Sequence, residues 1–513
     1  MSAPFMEKSY TVTKNVIFNF AGQFFLLLIS FLTTPIIIGF LGNDLFGILA
    51  IVTAVLGYFS LLDLGMGLSV IKYISEYSAK DDKRGIEKIV GSALTVYTII
   101  GLVGGILIFI LTHQIVSKFL QIPLEIIPMA VSVFYISALG FFINMVLTVF
   151  NAIPSALQRM DITNTRNVAV GLLNSLGTIL LLFLGFGLIE IIALNIAVSL
   201  LVTAVLYFDI KKILPNLSLK LRFEREIFLK LLKFSGYKFI GNTGGQIVFQ
   251  LDKLILGFFH PISYVTFYTV PVTLVQKAFS LMLNITNAVF PALSHSFTSG
   301  NRERSKDLYL RMGKFIVFIM TPLMAILFIF ADLILVLWLN GEFALRSYQT
   351  LRILSVAYFI AALSAPGVIA SDASGNPRLP AIFSSISAVI NVVAAFILIP
   401  RFGIEGAAYA LLINFIAQVP IFMFIVNKSL MKISNLEFIS KSILKPLTSG
   451  VLAGLITSFF NNLIPVSWGK LILGVIVFSS SYLIINFLIG TFDQKDKTTF
   501  RFLISKIRRN NNE

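Results

Sequence analysis

The chain has 513 residues, of which 57% are hydrophobic and only 12% are charged. Because an ordinary soluble domain carries about 25% charged residues, this composition excludes a soluble globular protein. The formal net charge of +16 would suggest nucleic-acid binding in a soluble chain, but in a membrane protein basic loops explain it. No nucleic-acid partner is therefore expected. The chain contains no cysteine, which excludes disulfides, thiolate metal sites and a cysteine nucleophile.

Apolar runs, bounded by charges or by Gly and Pro turns, recur along the whole chain. A helix that spans a bilayer needs about 20 mostly apolar residues, and the first run is too long for the core of a signal peptide. We predict an all-α polytopic membrane protein with about 14 transmembrane helices. The predicted helices cover residues 15–40, 46–71, 89–111, 127–152, 168–188, 190–209, 234–259, 264–297, 315–340, 349–371, 380–399, 405–427, 444–463 and 469–489.

The basic residues are distributed unequally between the two sides of the predicted bundle. Of the 40 Lys and Arg residues, 32 lie in segments that alternate helices place on the same side as the N-terminus. Only Lys118, Arg346, Arg401 and Lys470 lie on the other side. By the positive-inside rule, this bias predicts a multi-pass protein of the cytoplasmic (inner or plasma) membrane with both termini in the cytoplasm.

Two parts of the chain show a short internal similarity. Asn15, Asn19, Gly22 and Gln23 are matched 223 residues later by Lys238, Asn242, Gly245 and Gln246. This pattern predicts two pseudo-symmetric six-helix lobes plus a terminal helix pair, and related halves of a transporter usually enclose its substrate path. We predict an N-terminal lobe over residues 1–209, a basic cytoplasmic linker over 210–233, a C-terminal lobe over 234–427, and a terminal helix pair with a basic tail over 428–513.

The motifs of common enzymes are missing. The sequence contains no G-x-x-x-x-G-K-[ST] run to hold nucleotide phosphates and no H-E-x-x-H pair. We find no compact set of carboxylates, histidines and nucleophiles of the kind that a membrane enzyme needs. We therefore expect no enzyme activity, no cofactor and no metal site. The glycines within Gly101–Gly105 lie in an apolar run, where small residues favour close helix packing.

Four cations fall inside the predicted spans: Lys238, Lys253, Lys277 and Arg352. A charge at the bilayer centre costs about 2.5–3.5 kcal/mol on insertion scales, so a retained charge normally faces a protein or water-filled interior. Lys277 lies near mid-depth in its helix and is the costliest of the four. We predict that these four residues form a cationic, substrate-binding cavity. The alternative is that they pair with carboxylates and orient helices.

Polar side chains form stripes on the first and seventh predicted helices. Residues four apart lie on one helix face, so each set forms one slowly turning stripe. Because the stripes occupy matched positions of both halves, we predict that they are facing walls of one cavity. The alternative is that they join helices by hydrogen bonds. The predicted walls are Asn15, Asn19 and Gln23 on one side and Asn242, Gln246 and Gln250 on the other.

Two acidic residues within the predicted spans are candidates for ion coupling. Asp63 lies in the run Leu61–Gly67, and Asp252 precedes Lys253 on the seventh predicted helix. An intramembrane carboxylate can take up a proton or Na⁺ and so couple transport to a gradient. Asp63 can equally brace a kink beside Gly65, and this second interpretation stays open.

Three segments of the sequence resemble a known family. They are PIIIGFLGNDLFGILA (Pro35–Ala50), YFSLLDLGMGLSVIKYISEY (Tyr58–Tyr77) and PRFGIEGAAYA (Pro400–Ala410). These segments resemble the polysaccharide-biosynthesis membrane proteins, the O-antigen-type oligosaccharide flippases of the multidrug/oligosaccharidyl-lipid/polysaccharide exporter superfamily. The similarity in local pattern covers about sixty residues, and the helix number and the two halves extend it over the whole chain.

The resemblance implies a transporter without catalytic chemistry. It would move an isoprenoid-diphosphate-linked oligosaccharide from the cytoplasmic to the outer leaflet by alternating access, for surface polysaccharide biosynthesis. The implied partners are this lipid-linked glycan, membrane lipids, glycosyltransferases and a polysaccharide polymerase. The alternatives are a multidrug exporter of the same superfamily, whose cavity should be acidic, and a lipid II-type flippase. The Arg-rich first helix typical of the latter is missing, since Asn15–Phe40 contains no Arg.

Overall fold

The computed structural model describes the backbone of residues 3–215, 217–461, 465–494 and 496. Side chains are described from residue 28 onward, apart from those of residues 160, 234–238, 240, 242, 283–285, 287–288 and 460–461. Within this part of the chain the secondary structure is helical, with no strand and one isolated bridge between Gln121 and Pro261.

Sixteen α-helices lie within the described backbone. Short 3₁₀ turns lie at Ser60–Asp63 and Leu124–Ile126, and π-helical turns lie at Ile115–Phe119, Val426–Met431 and Ile439–Leu444. In chain order the α-helices are α1 (Ala3–Phe59), α2 (Met66–Ala79), α3 (Lys83–Gln114), α4 (Ile127–Ala156), α5 (Met160–Phe183), α6 (Leu188–Ile213), α7 (Arg225–Phe259), α8 (Ile262–Thr298), α9 (Arg302–Ile329), α10 (Ala331–Trp338), α11 (Gly341–Ala362), α12 (Ala365–Ala373), α13 (Arg378–Ile425), α14 (Asn435–Phe438), α15 (Lys445–Asn461) and α16 (Trp468–Leu488).

Glycine divides the two longest helices. Gly42 within α1 has φ 77° and Gly403 within α13 has φ 55°, both outside the helical region. Residues with a β-carbon rarely adopt such backbone angles, so glycine permits a sharp change of direction here. Both glycines lie in short links between predicted helices. The helix α1 therefore covers the predicted helix 15–40 and the first part of 46–71, and α13 covers most of 380–399 and 405–427.

Ten helical stretches within the described residues are long and apolar enough to cross a membrane. They include stretches that overlap α1, α3, α4, α5 and α6, and five more between residue 302 and residue 488. This confirms the all-α polytopic fold. The number of fourteen crossings stays a prediction.

One predicted helix, residues 46–71, is interrupted. The chain leaves α1 through the 3₁₀ turn at Ser60–Asp63 and then passes through Leu64 (φ 52°) and Gly65 (φ 71°), both left-handed. A new helix, α2, begins at Met66. Hydropathy does not detect this break because the run remains apolar on both sides of it.

The chain packs as two compact units. Unit 1 contains Met1–Thr269 and Pro380–Ala410, and unit 2 contains Val270–Leu379 and Leu411–Glu513. This division follows contacts within the fold, whereas the predicted lobes follow a sequence repeat. The lobe boundaries at residues 209, 233 and 427 therefore stay a prediction.

Small residues bring α3 and α4 close together within unit 1. A β-carbon on Gly105 would lie 3.1 Å from the backbone oxygen of Ala138, and one on Gly101 would lie 3.1 Å from the backbone oxygen of Phe142. Larger side chains would force the two backbones apart, which explains why this apolar run is rich in glycine.

Unit 2 contains a cluster of charges at the end of α16. Lys314 on α9 is buried and forms an ion pair with Asp496, and Arg311 lies 3.3 Å from the same carboxylate. Asp493 and Asp496 also accept hydrogen bonds from each other's backbone N–H groups. These contacts fix the segment that follows α16 against α9, because a buried charge is tolerated only with a partner.

Candidate functional site

The side chains of five predicted site residues lie outside the described ones: Asn15, Asn19, Gln23, Lys238 and Asn242. Their backbone belongs to α1 and α7. Their roles in the cavity stay predictions. The side chains of the other predicted site residues are described, and each lies in unit 1 or in unit 2.

In unit 1, the polar stripe of α7 lies against α1. The Tyr58 hydroxyl donates a hydrogen bond of 3.5 Å to the backbone oxygen of Gln246. The side-chain oxygen of Gln246 is 3.7 Å from the position that a β-carbon on Gly57 would take. Gln246 thus lies where the two helices meet, and the missing side chain of Gly57 leaves room for its amide.

Asp252 is the more deeply buried of the two acids on α7. Its side chain is 2% exposed, and its Oδ2 accepts a hydrogen bond from the hydroxyl of Tyr268 on α8. Its Oδ1 is buried and has no hydrogen-bond partner among the described residues. A buried carboxylate with a free acceptor is costly as an anion, so it favours binding of a proton or a cation.

Lys253 is also buried, and it does not form an ion pair with its neighbour in sequence. Its side chain is 6% exposed, and its Nζ donates a hydrogen bond of 2.8 Å to Oε1 of Gln250. No carboxylate oxygen of the described residues lies within 4 Å of this Nζ. The helix α7 therefore carries a buried cation and a buried acid that do not form an ion pair with each other.

Asp63 has a different environment, at the break between α1 and α2. Its carboxylate accepts a hydrogen bond from the Tyr97 hydroxyl on α3 and lies beside the backbone N–H groups of Gly67 and Met66. These two N–H groups belong to the first turn of α2, where a helix has no internal acceptors for them. This geometry supports the interpretation of Asp63 as a brace of the kink.

In unit 2, Lys277 lies near the middle of α8, a helix of 37 residues. Neighbouring residues fix the orientation of the helix: Gln276 donates to the Tyr358 hydroxyl over 2.9 Å, and the ring of Phe279 packs edge-on against the same tyrosine. Residues 276 and 279 share one face, and Lys277 points away from it. Its side chain is exposed and has no carboxylate within 4 Å among the described residues.

Arg352 on α11 has several partners, all within unit 2. Its Nε donates to the backbone oxygen of Phe328 over 3.2 Å, and its Nη2 lies 3.8 Å from Oδ1 of Asp332. Its guanidinium also lies 5.2 Å from the centre of the Tyr348 ring. These contacts join α9, α10 and α11, and they support the alternative interpretation, in which Arg352 orients helices.

Three tyrosines that hydrogen-bond to predicted site residues were not predicted from the sequence: Tyr58, Tyr97 and Tyr268. A signal was available, because a tyrosine in an apolar run normally finds a hydrogen-bond partner for its hydroxyl. The sequence does not identify the partner, since Asp63 and Tyr97 are 34 residues apart in the chain. Among the described residues, no group of three or more His, Cys, Asp or Glu could hold a metal ion.

Comparisons with known proteins agree with this architecture. Residues 12–297 match the family described as "Polysaccharide biosynthesis protein", and residues 242–397 match the MatE family. A relative from Shigella flexneri named "Putative O-antigen transporter" is 23% identical over 405 residues, which are 78% of this chain and 93% of that protein. A relative from Haloferax volcanii named "Probable low-salt glycan biosynthesis flippase Agl15" is 26% identical over 36% of this chain and 39% of that protein.

A solved structure has the same fold. The lipid II flippase MurJ in an inward closed conformation superposes with a TM-score of 0.75 at 16% identity, covering 93% of this chain and 98% of that chain. At this identity the superposition speaks for the fold alone. The first family match covers more than half of the 513 residues. The chain therefore belongs to the polysaccharide biosynthesis protein family of membrane transporters.

Proposed function

We propose that this protein flips an isoprenoid-diphosphate-linked oligosaccharide from the cytoplasmic to the outer leaflet of the cytoplasmic membrane by alternating access. The family match and the names of the two relatives support a glycan-lipid substrate. Both termini lie in the cytoplasm in this proposal, as the excess of basic loops predicts. Glycosyltransferases and a polymerase act before and after the flipping step.

The observation that carries the proposal is the environment of Lys277. Lys277 is an exposed residue near the middle of α8 and has no carboxylate partner among the residues described. A lysine that faced acyl chains at this depth would cost about 2.5–3.5 kcal/mol, so a water-filled path on this face of α8 is favoured. An uncompensated cation on such a path suits the diphosphate of the substrate.

Lys277→Gln tests the proposal in proteoliposomes that contain a fluorescent lipid-linked oligosaccharide. Charged hydrogen bonds contribute about 1.5–3 kcal/mol, so we expect flipping to slow at least about tenfold. Lys277→Arg should retain most of the rate because it keeps the charge. The matched control is Lys118→Gln, which removes an exposed cation outside the predicted spans. An unchanged rate in Lys277→Gln contradicts the role of this residue.

The substrate class is tested in the same vesicles. Lipid II and a cationic drug serve as competing substrates, which correspond to the two alternative functions. We expect the wild-type protein to move the oligosaccharide diphosphate lipid and to leave the cationic drug in place. Movement of the drug without movement of the glycan lipid would overturn the proposal, and a preference for lipid II would assign the chain to the other flippase activity.

Access from water provides an independent measurement. The chain has no cysteine, so Lys277→Cys creates a single labelling position. We expect a membrane-impermeant maleimide to react at this position, and added substrate to slow the reaction. Failure of the reagent to reach position 277 from either side of the membrane would exclude the water-filled path.

For energy coupling we propose Asp252 rather than Asp63. The support is that Oδ1 of Asp252 is buried and has no hydrogen-bond partner within the described part of the chain, whereas the carboxylate of Asp63 accepts from Tyr97 and lies at the N-terminus of α2. A proton or a sodium ion bound at Asp252 would remove the cost of the buried anion. Its uptake and release would then link transport to an ion gradient.

A further inference from the structure

Within unit 1, the α7–α8 link (residues 257–262) is hydrogen-bonded to the link between α3 and α4. The Gln121 backbone N–H donates to the Gly257 oxygen over 2.8 Å, and the Ile262 N–H donates to the Gln121 oxygen over 3.1 Å. The side-chain Nε2 of Gln121 also donates to the Phe258 backbone oxygen over 3.1 Å. One exposed residue, Gln121, thus makes three hydrogen bonds to the α7–α8 link.

The α7–α8 link and the start of α8 also lie against α1. The Thr266 hydroxyl donates a hydrogen bond of 2.5 Å to the backbone oxygen of Asn43. A β-carbon on Gly47 would overlap the backbone oxygen of Ile262. The α7–α8 link can therefore approach α1 this closely only because residue 47 has no side chain.

The sequence places these contacts on the outer side of the membrane. The links at residues 41–45, 112–126 and 260–263 each follow an odd-numbered predicted helix. With the N-terminus in the cytoplasm, all three links are then outside. Residues 43, 47 and 121 belong to the predicted N-terminal lobe, whereas residues 257–266 belong to the predicted C-terminal lobe. The contacts thus join the two predicted lobes at their outer ends.

Contacts in this position are incompatible with release of a substrate to the outside. A substrate path between two related halves opens outward only if the halves separate at their outer ends. The hydrogen bonds that hold them together are neutral, and Gln121 is exposed, so water can replace its partners. Exchange of a neutral hydrogen bond for one to water changes the free energy little. The contact is therefore suited to break and re-form.

We propose that Gln121, Gly47 and Thr266 hold an outer gate closed, and that the α7–α8 link leaves α1 and the α3–α4 link when the protein opens outward. This inference rests on the alternating access of the proposed function. Gln121 and Thr266 act through hydrogen bonds, and Gly47 acts through its small size. Changes at these positions should therefore increase the population of the outward-open form.

Cysteine labelling tests the gate without any substrate. Ile51 is 0% exposed, and its Cδ1 lies 3.3 Å from the position of a β-carbon on Gly257. Ile51→Cys therefore creates a single thiol beneath the α7–α8 link, to be labelled by a membrane-impermeant maleimide added on the outer side. We expect Gly47→Ala to raise the labelling rate at least about fivefold, because the added methyl overlaps the closed link. The matched control is Gly39→Ala on the same helix, where a β-carbon finds open space within the described structure.

Thr266→Val gives a second variant of nearly unchanged shape. It removes the hydroxyl that donates to Asn43, so we expect labelling of Ile51→Cys to become about fivefold faster, the effect of one neutral hydrogen bond. The matched control is Thr112→Val. The Thr112 hydroxyl is equally buried, but it donates to the Ile108 oxygen within its own helix.

Cross-linking tests whether the gate opens during transport. Gln121 and Pro261 are both exposed and are paired in an isolated bridge. Paired extended segments lie about 4.8 Å apart, which suits a disulfide. In Gln121→Cys with Pro261→Cys, flipping should stop on oxidation and return on reduction. The control pair is Phe109→Cys with Tyr135→Cys, whose native rings stack 4.3 Å apart between α3 and α4 of one predicted lobe. Cross-linking this pair should leave flipping unchanged.

The two measurements separate the gate from the proposed function. Full flipping by the oxidised 121–261 pair would overturn the gate. Unchanged labelling of Ile51→Cys in both Gly47→Ala and Thr266→Val would overturn it as well. Faster labelling in these two variants, with no flipping by any form of the protein, would support the gate and contradict the proposed function.

Discussion

Two aspartates of unit 1 each accept a hydrogen bond from a tyrosine hydroxyl, but their remaining contacts differ. Tyr97 donates to Asp63, and Tyr268 donates to Asp252. Asp63 lies at a helix break, where the backbone N–H groups of Met66 and Gly67 at the start of α2 lie beside its carboxylate. Asp252 lies within the continuous helix α7, and its Oδ1 has no hydrogen-bond partner among the described residues.

The difference shows how backbone geometry decides what a buried carboxylate can do. At a helix start, nearby free N–H groups stabilise the anion, so the carboxylate gains less from binding a proton or a cation. Inside a helix no such donors are available, and the cost of an unpaired buried anion favours a bound proton or cation. The same residue type is therefore a structural brace in one place and a candidate ion site in the other.

The largest expected effect follows from Asp252→Asn. The neutral amide cannot gain or lose a proton, and it binds Na⁺ more weakly, so transport should lose its dependence on the ion gradient. Coupling free energies of 1–3 kcal/mol correspond to about 5–150-fold, and we expect a loss of about tenfold or more in gradient-driven flipping. The rate in vesicles is compared with and without an imposed proton or sodium gradient. A variant that still responds fully to the gradient would sink the assignment of Asp252.

Asp63→Asn provides the opposite case. We expect gradient dependence to remain and stability to fall by about 1–2 kcal/mol, because a charged acceptor at the start of α2 is lost. The measurement is the midpoint of thermal unfolding in detergent, together with flipping at a temperature where the variant is folded. Loss of gradient dependence in folded Asp63→Asn would show that the brace and the ion site are not separate.

The two tyrosines sharpen the comparison further. Tyr97→Phe and Tyr268→Phe each remove one hydrogen bond to a buried carboxylate, which contributes about 1–3 kcal/mol. For Tyr97→Phe we expect lower stability with an unchanged pH profile of flipping. For Tyr268→Phe we expect the pH profile of flipping to change, because the carboxylate of Asp252 loses its tyrosine donor. Identical profiles in both variants would argue against a titrating Asp252.

The sequence predicts the helices better than it predicts the site. Apolar runs and short links locate the helices, and Gly42 and Gly403 lie at two of the predicted links. Apolar runs do not predict the break at Leu64, since the break depends on backbone angles in a run that stays apolar. Hydropathy describes each residue alone, so it cannot show where a helix changes direction within the membrane.

Partners across the fold are the other part that the sequence does not provide. The sequence does not distinguish Arg352 from the lysines, since all are cations within predicted spans. In the structure Arg352 lies near Asp332 and donates a hydrogen bond to the Phe328 carbonyl. Lys277 has the same formal charge and no such carboxylate within the described residues. The two cations therefore differ in their partners. This difference depends on contacts between helices, which the sequence does not show.

The smallest expected effect comes from Lys253→Gln. This substitution tests whether Asp252 couples transport to the ion gradient without Lys253. Lys253 is adjacent to Asp252, but its Nζ donates to Gln250, and the two side chains point about 100° apart on the helix. We expect stability to change by about 1 kcal/mol or less, since a neutral amide replaces one hydrogen bond and a buried charge is removed. Gradient dependence should be retained. If Lys253→Gln and Asp252→Asn both abolish it, the two residues form one charge-exchanging unit, and the free oxygen of Asp252 is not sufficient to define the ion site.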